Sequence, residues 1–433
     1  MADANRALAN RILRGLAIGV VAGIATLIIG HFQPAVLSFM QRVATTVLDP
    51  FGQVFLRLLF FVVLPLVFAS LASGIVQLGE LRKLGPLAGR TFTFFFANMI
   101  VGVALGLLMM NLLNPGGHLD AATKETLLAE FGGTAQKHIE TQAAAPQVGV
   151  SLVVDMFMPR NLFGAVVGQS RNAIGDVLPL IVFSLLVGAA GTQLATEKRQ
   201  CFQDALELVT EVMTRIVHYA LRLAPYAVPA MIYSVIVRIG PDILVSLGVF
   251  TLGCAAVMML HLFGTMSLWL RLFARRSPLE FFRTVKGVLV TAFSTSSSSA
   301  TLPTSIECAR GPLNVRPEIA GFVLPLGTTI NMSGTALYEG CVVLFVAQVF
   351  GVDLSFLQQV TLLLLSVLSA VAVAAIPGGS LPLIAGLLMT FGIPAEGIGI
   401  VLGVDRLLDM TRTTVNVGCD LVTAVIVEKQ TAA

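Results

Sequence analysis

Eight stretches of the chain, near residues 12–33, 51–78, 87–113, 177–196, 206–237, 242–272, 317–350 and 393–427, are apolar over long runs. A helix needs roughly 20 such residues to cross a bilayer. Within lipid every backbone N–H and C=O must find its partner inside the segment, so spans of this kind are helices. Composition agrees: 56% of residues are hydrophobic and 12% charged, against roughly 25% charged in soluble domains. The sequence therefore predicts an all-α integral membrane protein with eight transmembrane helices, embedded in the lipid bilayer.

Several function classes are excluded. A net charge of +3, scattered along the chain, offers no footprint for nucleic acid. Neither a phosphate-binding loop nor an H-E-x-x-H metal pair is present. Cys201, Cys254, Cys308, Cys341 and Cys419 are far apart and odd in number, which argues against a disulfide framework or a zinc site. No cofactor is expected. The basic N-terminus leads into an apolar run too long for a signal-peptide core, and reads as the first span.

Positive charges favour the cytoplasmic side. Arg6, Arg11 and Arg14 place the N-terminus inside. Alternation then puts Arg82, Lys83 and Arg90, next Lys198 and Arg199, and next Arg275, Arg276, Arg283 and Lys286 inside as well. Both termini are expected in the cytoplasm, and the hydrophilic connection 117–176 outside. Short loops and a single tryptophan, Trp269, point to a prokaryotic inner (plasma) membrane.

Two further apolar segments, 278–310 and 356–392, do not fit the spanning pattern. One holds STSSSSATLP (294–303) and the other AAIPGGSLP (374–382). Each is an apolar arm, a tip of small residues, then Leu-Pro and a second arm. Broken backbone at membrane depth is tolerated only where protein or water covers it. Two re-entrant helical hairpins are the natural reading. Each is followed by a span with a polar interruption, NMSGT (331–335) and NVGCD (416–420), which suggests an inverted repeat whose interrupted segments meet at a midplane site. Taken singly, either tract also reads as a helix-packing patch of small residues.

The last span carries Asp405, Asp409, Arg412, Asn416 and Asp420. At helical spacing all five fall within roughly 60–80° of one face, with Thr413 at its edge. A charge near the bilayer centre costs about 2.5–3.5 kcal/mol on insertion scales, so the stripe needs partners or a function. One reading is a mutual ion-pair network, with Asp409 and Arg412 at i,i+3. The other is substrate binding. Arg412 offers a planar fork for a carboxylate, Asp409 accepts from an ammonium group, and Asn416 donates to a second carboxylate. That set suits an acidic amino acid. Hairpin helix N-termini and the hydroxyls of Ser297, Ser298 and Ser299 add donors. Asp420 and Asn416, with carbonyls around Asn331, offer the oxygen cage that sodium prefers.

The segments FLRLLFFVVLPLVFASL (55–71), SSSSATLP (296–303), LPLGTTINMSGTALYEG (324–340), IPGG (376–379) and DMTRTTVNVGCD (409–420) together carry a specific resemblance. Nearly end to end, the chain resembles the dicarboxylate/amino acid:cation symporter family, which includes the excitatory amino acid transporters and the archaeal sodium–aspartate transporter. The resemblance implies a homotrimer working as an elevator. Residues 1–84 (spans one and two) and 117–240 (outer loop, spans four and five) would form the scaffold. Residues 85–116 (span three) and 241–433 (span six, both hairpins, spans seven and eight) would form the mobile transport domain. It implies that Arg412 holds the side-chain carboxylate, Asp409 the amino group and Asn416 the main-chain carboxylate. Thr335, Thr413, Ser298 and the Gly378–Gly379 region would close the pocket. Gly327, Asn331, Asn416 and Asp420 would hold one sodium ion. Thr329, Met332 and carbonyls of the second hairpin would hold another.

Departures from the family pattern bear on coupling. Ser333 stands where relatives carry a carboxylate that ligates a third sodium, and Phe95, Asn98 and Met99 replace its other ligands. Loss of that site is expected. Ala370 and Val373 replace hydroxyls near the second site. Glu339 resembles the proton-carrying glutamate of proton-coupled members. Fewer sodium ions and at least one proton are therefore expected. An arginine usual before the serine run or after the substrate aspartate is absent, those positions being Ser296 and Met410, and Arg406 is its candidate replacement. Rival readings are a C4-dicarboxylate or neutral amino acid carrier, an intramembrane aspartyl protease using Asp420 with Glu339, and a passive anion channel. Asp409 and Arg412 together favour acidic amino acids, and no enzyme is expected.

Overall fold

The computed structural model describes residues 2–81, 85–119, 160–167, 177–239, 242–373 and 380–431. It is helical, and no strand occurs among the described residues. The expected outer loop falls largely outside this set, as do Arg82, Lys83 and the tip 374–379 of the second hairpin with Gly378 and Gly379.

The helices in chain order are α1 (Ala2–Phe32), α2 (Pro34–Val43), α3 (Asp49–Phe60), α4 (Val63–Leu81), α5 (Pro86–Leu113), α6 (Leu162–Val167), α7 (Val177–Gly191) and α8 (Thr196–Ile239). They continue as α9 (Asp242–Met259), α10 (Met266–Trp269), α11 (Pro278–Thr295), α12 (Ser298–Arg310), α13 (Pro317–Ile330), α14 (Ser333–Val349), α15 (Phe356–Ala372), α16 (Leu381–Thr390) and α17 (Ile398–Thr431). Wider π-helical turns, Leu260–Thr265 and Leu270–Ala274, flank α10 and carry the run on to Ala274.

Proline sets several of the breaks. Pro65 lies in the first turn of α4, where its ring opposes a helical carbonyl four residues back, and the chain breaks between α3 and α4 there. Pro225 and Pro229 lie inside α8, whose halves Thr196–Val217 and Arg222–Arg238 are bent by 52°. By length and composition, Arg14–Phe32, Pro86–Gly117, Ile243–Ala274 and Pro317–Val349 qualify as spans among the described residues, and the bent pair makes a fifth. The charged stripe of α17 removes that helix from such a test.

Two packing groups are evident. In one, α1 runs along α8, which also packs on α3 and α4, while α7 lies against α4. Gly15, Gly19 and Gly23 line the α1 side of this contact. A Cβ on Gly19 would sit 2.7 Å from the Pro229 carbonyl oxygen, so small residues set the approach of the helices. Arg238 pairs with Asp49 at 2.5 Å, tying α8 to α3. In the other group, α5, α9, α11, α13 and α14 surround α17. Most of α17 from Ile398 to Val427 is buried, Leu407 being exposed.

The first hairpin takes the expected helix–turn–helix form, α11 with α12; of the second, the two arms α15 and α16 are described and touch each other. The two polar interruptions differ. Asn331 and Met332 leave helical geometry, with φ/ψ of −91°/66° and −89°/52°, and separate α13 from α14. The segment 416–420 does not break: α17 is continuous through it. No proline lies there, and Gly418 serves packing, because a Cβ would meet Leu262. One polar interruption is thus a break in the helix and the other is not.

Candidate functional site

The break at Asn331–Met332 frees backbone groups that the intact α17 satisfies. The Asn416 side-chain oxygen accepts from Gly334 N at 2.7 Å and from Thr335 N at 3.4 Å, capping the first turn of α14 from a neighbouring helix. The Asn416 amide donates to Thr335 Oγ1 at 3.1 Å and to Met332 Sδ at 3.3 Å. Asn331 donates to Asp420 Oδ1 at 2.8 Å, and Asn98 of α5 donates to Asn331 Oδ1 at 3.4 Å. Asp420 lies against the bare backbone of Gly327, where a Cβ would come within 3.0 Å of both carboxylate oxygens. The predicted set Gly327, Asn331, Asn416 and Asp420 is therefore brought together, all buried, with Met332 beside it. Thr329 is exposed, and its hydroxyl donates to the Leu326 carbonyl at 2.9 Å.

Toward the N-terminal part of α17 the charged residues form a closed network. Arg412 reaches Asp409 Oδ1 through Nη2 at 2.8 Å and Nε at 2.9 Å, and Asp405 Oδ1 through Nη1 at 3.6 Å. Its guanidinium lies 4.7 Å from the centre of the Tyr338 ring, a distance at which a cation is attracted to the ring face. The Tyr338 hydroxyl donates to Asp405 Oδ1 at 2.9 Å. Arg406 Nη1 donates to Asp409 Oδ2 at 3.1 Å. Two aspartates and two arginines thus neutralise one another at a depth where unpaired charge is costly. The Asp409–Arg412 pair of the ion-network reading is formed. The same pairing holds the guanidinium and the carboxylate in adjacent turns, as the substrate reading requires. Thr413 is buried and its hydroxyl donates to the Asp409 carbonyl at 2.8 Å.

The first hairpin turns at Ser296, whose φ of 50° is left-handed, an uncommon conformation for a residue with a side chain. Ser297 caps α12, its Oγ accepting from Ala300 N at 3.2 Å. Ser297 and Ser298 are buried and Ser299 is exposed. The tip packs beside α13 and α17 through α12.

Glu339 is fully buried on α14, next to Tyr338. Neither of its carboxyl oxygens makes a hydrogen bond of good geometry among the described residues, although the Ser369 hydroxyl of α15 is close. Phe95, Asn98 and Met99 are all fully buried on α5, and Ser333 lies with Asn98 beside Cys419. Sequence reasoning missed His261, a fully buried histidine whose ring nitrogens have no hydrogen-bond partner among the described residues, facing Gly102. A lone histidine in an apolar span carries no periodic signal that would have singled it out. The contacts of Tyr338 with Asp405 and Arg412 required the fold.

Comparison with known proteins shows the family. The family model described as the sodium:dicarboxylate symporter family matches residues 8–430. The chain is similar to the proton/sodium-glutamate symport protein of Bacillus subtilis (strain 168), at 31% identity over 98% of this chain and 92% of that protein. It is 28% identical to the proton/glutamate-aspartate symporter of Escherichia coli (strain K12), over 88% of this chain and 85% of that one. It is 29% identical to the C4-dicarboxylate transport protein of Bacillus subtilis (strain 168), over 88% and 87%. With the match running nearly from end to end, the chain belongs to the sodium:dicarboxylate symporter family and is a multi-pass membrane transporter, not an enzyme.

Proposed function

We propose that this protein is a secondary active symporter that imports an acidic amino acid, L-glutamate or L-aspartate, together with cations. The observation that carries the reading is the buried Arg412–Asp409 pair on α17. One partner suits a carboxylate and the other an ammonium group, one helical turn apart. Relatives named for glutamate and aspartate support the same substrate class. The relative named for C4-dicarboxylates supports a second reading within the same fold. In this proposal Arg412 takes the side-chain carboxylate and Asp409 the amino group. Asn416, Thr335, Thr413, Ser297, Ser298, Ser299, Gly378 and Gly379 complete the pocket.

Coupling follows from the oxygen-rich cluster around Asn331. Sodium sits among Gly327, Asn331, Asn416 and Asp420, with a second ion near Thr329 and Met332. Ser333, Phe95, Asn98 and Met99 leave a third sodium without its usual ligands. Glu339 instead carries a proton, in keeping with its complete burial and the absence of a cationic partner at hydrogen-bonding distance among the described residues. The protein works as a homotrimer with eight spans and both termini in the cytoplasm of an inner-membrane-bounded cell. The group around α17 moves as an elevator against the group around α8, a division that the packing supports.

Uptake of labelled L-aspartate and L-glutamate into proteoliposomes tests the proposal under a sodium gradient, a proton gradient, both, and neither. Gradient-dependent uptake abolished by Arg412→Ala is the expected result. Folded protein that takes up neither amino acid under any gradient would refute the substrate assignment.

A further inference from the structure

We infer that Arg406 sets how strictly the site demands an amino group, and that its pairing with Asp409 admits four-carbon dicarboxylates alongside acidic amino acids. This rests on the substrate reading above and extends it to specificity.

Asp409 has two carboxylate oxygens, and each is held by a different arginine. Oδ1 receives Arg412 at 2.8 Å, and Oδ2 receives Arg406 at 3.1 Å. Both arginines and the aspartate are buried, Arg406 being 8% exposed. Arg406 and Asp409 lie three residues apart on the same continuous helix, so their contact does not depend on either hairpin.

Substrate binding alters only one side of this arrangement. A substrate carboxylate draws on the Arg412 fork and competes with Asp409 Oδ1 for it. A substrate bearing an ammonium group replaces what Oδ1 has lost. A dicarboxylate without one replaces nothing, and Asp409 would then be a buried carboxylate lacking compensation. Arg406 prevents that outcome, because Oδ2 keeps its guanidinium throughout. The site therefore tolerates a substrate that lacks the amino group. Arg406 touches no substrate in this account and is a positioning residue acting through Asp409.

Removing Arg406 should expose the difference. With only Arg412 left, Asp409 loses its last cationic partner whenever a dicarboxylate occupies the fork. Stranding a buried charge in this way corresponds to a selectivity change of about a hundredfold to a few thousandfold at full cost. An amino acid substrate escapes most of that penalty.

The test is uptake of labelled L-aspartate and labelled succinate into proteoliposomes by wild type, Arg406→Gln and Arg406→Lys. Wild type should transport both. Arg406→Gln should lose succinate uptake at least about tenfold more than aspartate uptake, whereas a merely structural role would depress both alike. Arg406→Lys keeps the charge without the planar fork and should shift the ratio less; it stands in if the glutamine variant does not fold. Aspartate uptake with an unchanged ratio in the variants overturns this inference alone. Wild type that takes aspartate and excludes succinate also overturns it. Wild type that transports neither overturns the substrate reading and this inference with it.

Discussion

Asn331, at the break between α13 and α14, donates to Asp420 of α17 at 2.8 Å. The contact joins the interrupted span to the intact helix beside it, and both Asp420 oxygens lie within 3.0 Å of where a Cβ on Gly327 would sit. If sodium is held there, Asp420 is its only full negative charge. Asp420→Asn keeps the shape and removes that charge. The sodium concentration for half-maximal uptake should rise at least about tenfold, equivalent to about 1.4 kcal/mol. Sodium titration of aspartate uptake checks this, and an unaltered sodium requirement would count against the site.

Gly334 follows the break and lies under α17, where a Cβ would fall 2.4 Å from the Arg412 carbonyl oxygen and 2.9 Å from Val415 Cβ. Backbone cannot yield as a flexible side chain can. Gly334→Ala should destabilise the protein by about 1–3 kcal/mol, the usual cost of overpacking. Thermal melting of the purified protein reads this directly, and an unchanged melting temperature would show that the helices separate easily.

Arg412 stands between Asp405 and Asp409 and faces the Tyr338 ring. Truncation leaves two buried carboxylates with fewer partners, a loss of about 3–5 kcal/mol for a broken buried pair. Arg412→Ala should abolish uptake of acidic amino acids. Arg412→Lys should fail to restore it, since an ammonium cannot offer the bidentate fork. Uptake measured with correctly folded protein decides the point, and full activity in the lysine variant would refute the fork argument.

Glu339 is wholly buried and lacks a well-formed hydrogen bond among the described residues. Glu339→Gln removes its capacity to gain and lose a proton while preserving its size. Uptake should continue under a sodium gradient and cease to respond to a proton gradient. A variant that responds like wild type would exclude Glu339 as the carrier.

Much of this was legible in the sequence, for identifiable reasons. Apolar runs placed the helices, and the small-residue tract 294–303 placed the turn between α11 and α12, because lipid forbids uncovered broken backbone. The stripe of α17 was legible because helical spacing fixes which residues share a face. Whether the polar run 416–420 breaks its helix was not legible, because Asn, Gly and Asp signal a break equally well when they serve packing and capping. Asn416 shows the distinction, since its polarity caps α14 rather than ending its own helix. The partnership of Tyr338 with Asp405 is set by contact between distant segments. His261 was missed because a buried histidine looks the same in a sequence as a surface one.

The burial of α17 also bears on how the protein is made. The helix that α5, α9, α11, α13 and α14 surround is the last described one along the chain. During synthesis the earlier segments emerge first. Asn331, Gly334 and Tyr338 must then wait in the membrane without Asp420, Asn416 and Asp405, which partner them once α17 arrives. Until then the surrounding helices enclose a polar gap in place of a core. Assembly therefore has a late, decisive step, in which the segment that carries the charged stripe is also the one that closes the bundle.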